Sequence, residues 1–245
     1  ADVTICPSGT ATLSNTQGFS AYAWSTGATT SSITVSPSTT TSYTLTVTDS
    51  NGCRATTSAS VNVLNPTASI TPANPIITCA NNGEVVLTAG PAGAVSYSWS
   101  GPGIVSGGST NQATVNAVGT YVVTVTSGTA PNTCTATASV VVTQDISQPF
   151  LLVSTPQGTA LSCSVSSVSL VASYFPTSGS SVVWTRPDGT TATTANINAT
   201  QAGDYTVVVT ASNGCTSSTS INVTSTNNIS VSIATPATLT CTTTS

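Results

Sequence analysis

YTLTVTDSNGC (residues 43–53) sets a large or β-branched side chain against threonine over six positions, then breaks at Asp-Ser-Asn-Gly before a cysteine. Tyr43, Leu45 and Val47 fall on one side of an extended chain, and Thr44, Thr46 and Thr48 on the other. That two-residue period is the mark of a strand with one face in a core and one in water. Ser50-Asn51-Gly52 supplies a turn, because asparagine and glycine tolerate positive φ. Cys53 is then either a reactive thiol or a crosslink. A lowered thiol pKa needs a neighbouring cation, a helix N-terminus or a metal. Arg54 is adjacent, but no helix is evident, and the recurrences of this stretch carry Thr135 and Thr216 at that place. Cys53 is therefore read as a crosslink.

The stretch recurs as YVVTVTSGTAPNTC (121–134) and YTVVVTASNGC (205–215). Upstream of each copy lies a tryptophan on an alternating run: FSAYAWS (19–25), AVSYSWS (94–100) and SSVVWTR (180–186). Further upstream stands a first cysteine at Cys6, Cys79 and Cys163, and again at Cys241. The second cysteines, Cys53, Cys134 and Cys215, are spaced 81 residues apart. The order Cys…Trp…Tyr…Cys thus appears three times, the signature of a repeat array. SVSIATPATLTC (230–241) matches TASITPANPIITC (67–79), the lead-in to the second copy, whereas ADVTIC at the start corresponds only to the end of that lead-in. The expected domains are repeat 1 over 1–64 (without its lead-in strand), repeat 2 over 65–144, repeat 3 over 145–225, and the first strand of a fourth over 226–245.

Several short strands per repeat, with turn residues every 8 to 12 positions, predict an all-β chain of tandem antiparallel β-sandwiches arranged as an elongated array. Trp24, Trp99 and Trp184 are the expected core plugs, joined by Tyr43, Tyr121 and Tyr205. Gly119 in VGTY (118–121) and Gly203 in AGDY (202–205) mark tight entries into the tyrosine strands. Seven regularly spaced cysteines point to an oxidising compartment. The expected disulfides are Cys6–Cys53, Cys79–Cys134 and Cys163–Cys215, with Cys241 paired outside the sequence given. Pairing between domains is the alternative. Antibody-type domains place the second cysteine two residues after a tyrosine, whereas here it stands 10 to 13 residues after, so the bond would tie the first cysteine's segment to the final hairpin.

Composition excludes more than it suggests. The 245 residues include no histidine, two basic residues (Arg54 and Arg186) and a net charge of −4. With no histidine, the usual general base and commonest metal ligand are missing. With no lysine there is neither a Schiff base nor an isopeptide crosslink. Two arginines cannot follow a phosphate backbone, so nucleic acid is not an expected partner. No run approaches the roughly 18 apolar residues of a membrane span, so no membrane insertion is expected. The acids Asp2, Asp49, Glu84, Asp145, Asp188 and Asp204 stand singly. Asp49 with Asn51, or Asp188 in RPDG (186–189), would be the only starting points for calcium, and turn capping is the simpler role. No catalytic, cofactor or metal site is predicted.

Two surface features remain. Tyr22, Tyr97, Tyr174, Phe150 and Phe175 are the aromatics that would form a glycan platform if exposed. Asn198, Asn222 and Asn228 head Asn-x-Ser/Thr triplets, which arise readily in a chain this rich in asparagine and threonine. The hydroxyl-rich outer faces would also suit O-glycans.

WSTG (24–27), the SPSTTTSY entry (36–43) and YTLTVTDSNGC resemble the Ig-like and PKD-like tandem repeats of giant type IX-secreted surface adhesins of gliding Bacteroidetes. The resemblance covers the whole chain and is weakest at WTRPDGT (184–190). It implies a secreted or cell-surface stalk serving adhesion, gliding or cell capture, and it transfers no binding residue. The functional expectation is a non-enzymatic structural segment of an extracellular filament. Scarce charge offers little repulsion between copies, and exposed threonine and asparagine faces can hydrogen-bond laterally, so a homo-oligomeric bundle is expected. Head-to-tail strand exchange through residues 229–241 is a variant of that expectation. The competing reading is a carbohydrate-binding accessory module that engages surface or cell-envelope glycans.

Overall fold

The computed structural model describes residues 2–130, 132–226 and 231–232. The chain falls into two compact units, Ala1–Asp145 and Ile146–Ser245. The first unit holds two separate hydrophobic cores and the second holds one.

In the second unit, β-branched runs form strands because alternate side chains enter the core. The first sandwich comprises β1 (Val3–Ile5), β2 (Ala11–Ser14), β3 (Ala21–Trp24), β4 (Ser32–Val35), β5 (Thr41–Thr48) and β6 (Arg54–Val63). The second comprises β7 (Ser69–Thr71), β8 (Ile76–Thr78), β9 (Val85–Gly90), β10 (Ser96–Ser100), β11 (Ile104–Ser106), β12 (Gln112–Val115), β13 (Gly119–Thr129) and β14 (Asn132–Asp145). The third comprises β15 (Phe150–Ser154), β16 (Ala160–Leu161), β17 (Val168–Phe175), β18 (Ser181–Thr185), β19 (Thr191–Ala192), β20 (Asn196–Ala199), β21 (Gly203–Thr210) and β22 (Thr216–Ser225).

The second sandwich shows the plan most fully. One sheet runs β11-β12-β9-β7 and the other β10-β13-β14-β8. This is the immunoglobulin-like arrangement, with four strands facing a sheet built on the last hairpin. The lead-in is split: β7 pairs antiparallel with β9, and the chain then crosses over so that β8 pairs parallel with β14. The third sandwich repeats it with sheets β15-β17-β20 and β16-β22-β21-β18-β19. The first has β1-β6-β5-β3 facing a sheet of only two described strands, β2-β4. The parallel pairing of β1 with β6, β8 with β14 and β16 with β22 departs from the all-antiparallel expectation.

The tryptophans sit where the pattern predicts. Trp24, Trp99 and Trp184 are buried. Each indole N–H donates to a carbonyl on the chain entering the opposite sheet: Thr30 (2.8 Å), Thr110 (2.9 Å) and Ala195 (3.4 Å). The ring therefore fills the core without leaving a donor unpaired. Tyr121 and Tyr205 are buried, and their hydroxyls reach back to the carbonyls of Ala117 (2.8 Å) and Gln201 (3.1 Å). These are tyrosine corners, each tying the strand entry to the chain four residues earlier. Tyr121 also reaches the Pro102 carbonyl, and burial holds its phenol above the usual range. Gly119 (φ 144°) and Gly203 (φ 136°) open the tyrosine strands in a region that L side chains avoid. A Cβ on Gly203 would stand 2.8 Å from the Pro187 ring, so both backbone and neighbour demand glycine.

Candidate functional site

Every sandwich carries a cysteine at two places: just after its parallel lead-in strand, and at the start of its last strand. The fold puts these places at opposite ends. Ile5 lies beside Val63, so Cys6 follows at the far end of β6, whereas Cys53 immediately precedes Arg54 at its near end. Ten residues of strand separate those ends by roughly 30 Å, and a disulfide needs Cα atoms within about 7 Å. Pairing within a sandwich is therefore geometrically closed.

The expected pairs Cys6–Cys53, Cys79–Cys134 and Cys163–Cys215 are accordingly not formed. Cys6 bonds Cys134, 128 residues later, with Cα atoms 5.5 Å apart. The bond joins the end of β1 in the first sandwich to β14, beside the last hairpin of the second. At the hairpin, Gly128 (φ 103°) lies against the Leu64 side chain, and a Cβ there would run into the Asn132 carbonyl across the turn as well as into Leu64. Cys79 and Cys215 are also disulfide-bonded. Cys53 and Cys163 are free thiols, and both are exposed. Cys241 lies outside the described residues.

What the sequence reading missed was the direction of one strand. The second cysteines do lie on the final hairpins, as their distance from the tyrosines predicts. Had the lead-in been antiparallel, the two cysteines would have met. The usable signal was the proline-containing break in TASITPANPIITC (67–79), which lets the lead-in leave one sheet and join the other in parallel.

The second feature is an open edge. In the second sandwich β7 covers the outer edge of β9 and lies against β14, and Ala68 and Ile70 pack on the core. In the third, β15 covers β17 and lies against β22, with Leu151 and Val153 on the core. No described strand takes this place beside β2 in the first sandwich. Instead a cavity of about 250 Å³ opens between β2 and β6, walled by Val3, Leu13, Trp24, Tyr43, Leu45 and Ala59. The consequence shows at Tyr43. Its counterparts Tyr121 and Tyr205 are fully buried, whereas Tyr43 is only half-buried against its core.

Most remaining candidates have structural tasks. Tyr22 and Tyr97 bridge their own loops: Tyr22 accepts from the Phe19 N–H (3.0 Å) and donates to Gln17 O (2.8 Å), and Tyr97 donates to Pro91 O (2.6 Å). Tyr174 packs on the third core. Phe150 and Phe175 differ, being 63% and 72% exposed and directly opposite each other across β15 and β17. The Asp49 carboxylate accepts the N–H groups of Asn51 and Cys53, both at 2.8 Å. Asp188 accepts from the Thr190 N–H (2.9 Å) and hydroxyl (2.7 Å), which hold its carboxyl below the usual range. Donors rather than oxygens converge on both, the environment of a capped turn and not of a cation. Asn198 and Asn222 are exposed on β20 and β22, and Asn228 lies outside the described residues. Among the described residues, no three metal-ligating side chains gather, and no helix is long and apolar enough to cross a membrane.

No family model and no curated protein matches the sequence. Among solved structures, a "Ca2+-stabilized adhesin" that "helps an Antarctic bacterium reach out and bind ice" is similar over 93% of this chain and 72% of its own, at 18% identity and a TM-score of 0.45. A 1.5-MDa bacterial ice-binding adhesin, described for host cell surface retention, is similar over 92% and 94%, at 17% identity and a TM-score of 0.45. Sidekick-1 immunoglobulin domains 1–5 are similar over 93% and 57%, at 11% identity and a TM-score of 0.36. At such values the likeness carries no functional argument, and the fold assignment rests on the strand order.

Proposed function

We propose that this chain is a non-enzymatic structural and adhesive segment of an extracellular or cell-surface fibre, with 1–64, 65–144 and 145–225 as consecutive links. The observation that carries this reading is the Cys6–Cys134 bond, which fastens one sandwich to the next instead of closing either on itself. A bond placed so carries tension from one sandwich to the next. Disulfides also favour an oxidising compartment outside the cytosol. The resemblance to repeats of giant type IX-secreted adhesins supports the same place and role. Scarce charge and hydroxyl-rich faces support lateral packing of copies into a bundle. Immunogold labelling of intact cells tests the reading. Label along surface fibres is expected, and label confined to the cytoplasm would overturn it.

The Phe150–Phe175 pair favours a second reading, binding of surface glycans, because exposed neighbouring aromatic faces suit sugar rings. A glycan array probed with the chain and with F150A/F175A tests it. Binding lost in the variant is expected under this reading, and an unbound array removes it.

A further inference from the structure

We propose that the hairpin of the first sandwich carries a self-modification site. In water Asn51 converts to aspartate and isoaspartate, whereas Asn213, in the same four-residue sequence, is held back by the fold.

Ser-Asn-Gly-Cys occurs twice, at 50–53 and at 212–215, each time just before the last strand of a sandwich. An asparagine before glycine is open to attack, because glycine puts no side chain beside its own nitrogen. The glycine N–H loses its proton and the nitrogen bonds to asparagine Cγ. The Cγ–Nδ2 bond breaks, and the amide nitrogen leaves as ammonia, carrying that proton. Water then opens the five-membered imide. Cleavage of the new bond gives aspartate, and cleavage of the original peptide bond gives isoaspartate, with the main chain running through Cγ. No electrons change hands.

Identical neighbours make the two sites alike, and their surroundings separate them. The side chain must swing onto the glycine nitrogen. Asn213 is half-buried and clamped at both ends: Oδ1 accepts the Cys215 N–H (3.0 Å), and Nδ2 donates to Ser147 O (2.9 Å). Ser147 is 66 residues away in sequence, so freeing Asn213 undoes a tertiary contact. Its glycine is held as well, by Gly214 N–H to Ala211 O at 2.9 Å. Asn51 is exposed, and among the described residues its side chain makes no hydrogen bond. Gly52 N–H reaches Asp49 O only at 3.2 Å.

The change alters the turn that carries it. The Asp49 carboxylate closes this turn by accepting the N–H groups of Asn51 and Cys53, both at 2.8 Å. Isoaspartate at 51 puts one more carbon between those donors, too far apart for one carboxylate to hold both. It also adds a second negative charge to the same turn, in a chain with six acids. The turn between β5 and β6 therefore loosens as Asn51 converts.

The test ages the full chain in mildly alkaline buffer and separates asparagine, aspartate and isoaspartate by peptic mapping and mass spectrometry. Asn51 should convert at least about tenfold faster than Asn213, where two hydrogen bonds must break first. In urea with the disulfides reduced, the two rates should converge. Conversion of Asn213 as fast as Asn51 in the folded chain overturns the protection. A gap that persists in urea overturns it too, because the difference would then lie outside the fold. No conversion at Asn51 in the folded chain overturns the site. Hydrogen exchange over residues 49–53 should quicken in the aged parent. N51Q, whose longer side chain must close a six-membered ring, should gain no charge there and keep the exchange of fresh chain. Unchanged exchange in a converted parent overturns the loosening of the turn.

Discussion

Replacing Cys6 and Cys134 together by serine should destabilise the first sandwich far more than replacing Cys53. The bond closes a loop whose ends are 128 residues apart, for which loop-closure entropy gives about 5 kcal/mol at 25 °C. That value assumes that everything between the cysteines unfolds together. The loop spans two distinct cores, one around Trp24 and one around Trp99. If the first melts while the second holds, the freed segment is about half as long. Because the dependence is logarithmic, the figure falls only to about 4 kcal/mol. Engineered removals return about 2–5 kcal/mol in practice. Cys53 is exposed and unbonded, so Cys53→Ser should stay within about 0.5 kcal/mol of the parent. Hydrogen exchange read by mass spectrometry resolves the two cases, because the β5–β6 hairpin reports the first core by itself. The double variant should lose protection there by the factor that 2–5 kcal/mol implies. A Cys53→Ser variant that loses as much, or a non-reduced peptide map joining Cys6 to Cys53, would refute the reasoning.

Other outcomes follow from single contacts. Tyr205→Phe removes a hydroxyl that donates to Gln201 O and accepts from Gln201 N–H, and should cost about 1 kcal/mol in urea unfolding. Gly203→Ala combines a φ of 136° with a Cβ 2.8 Å from Pro187, and should cost about 1–3 kcal/mol in the same assay. Thr190→Val removes the hydroxyl that does most to hold the Asp188 carboxyl low, so its titration, followed by NMR, should move up toward the ordinary value. The stability that Asp188 lends is present above the ordinary carboxylate range and is lost as pH falls through its lowered folded value. Tyr121 has the opposite sign: burial raises it. Its contribution is complete below the ordinary tyrosine range and disappears as pH climbs through the higher folded value, which an alkaline melt with Tyr121→Phe as control should show.

The residues whose roles follow from local pattern could be read without a structure. Alternation in Tyr43–Thr48, Tyr121–Thr126 and Tyr205–Thr210 identifies strands because a half-buried sheet needs two unlike faces. Trp99 and Trp184 are buried because few other side chains in so aromatic-poor a chain can fill a sandwich core. The disulfides were not legible by the same route. Their partners depend on whether the strand before Cys6 runs with or against β6, and alternation is identical in both directions. Tyr43 shows the same limit. Its pattern matches Tyr121 and Tyr205, yet it is less buried because no described strand covers the outer edge of β2 in its sandwich, a difference that the alternation around Tyr43 does not itself report.

Placing the bond between sandwiches has a mechanical consequence that a bond within each would not. A sandwich closed by its own disulfide resists only its own unravelling. With Cys6 at the end of β1 and Cys134 beside the hairpin of the next sandwich, a pull on the second sandwich reaches the first through a covalent path that bypasses residues 64 to 68. Leu64 seated against Gly128 keeps that contact close. Reducing agent should therefore loosen the connection between the first two sandwiches and lower the stability of the first core, yet leave each core folded in the absence of denaturant. Small-angle scattering of the reduced chain should broaden its distance distribution while far-ultraviolet circular dichroism stays constant. Loss of the β signal on reduction without denaturant would mean that a core cannot stand without the bond, and would overturn its reading as chiefly a junction.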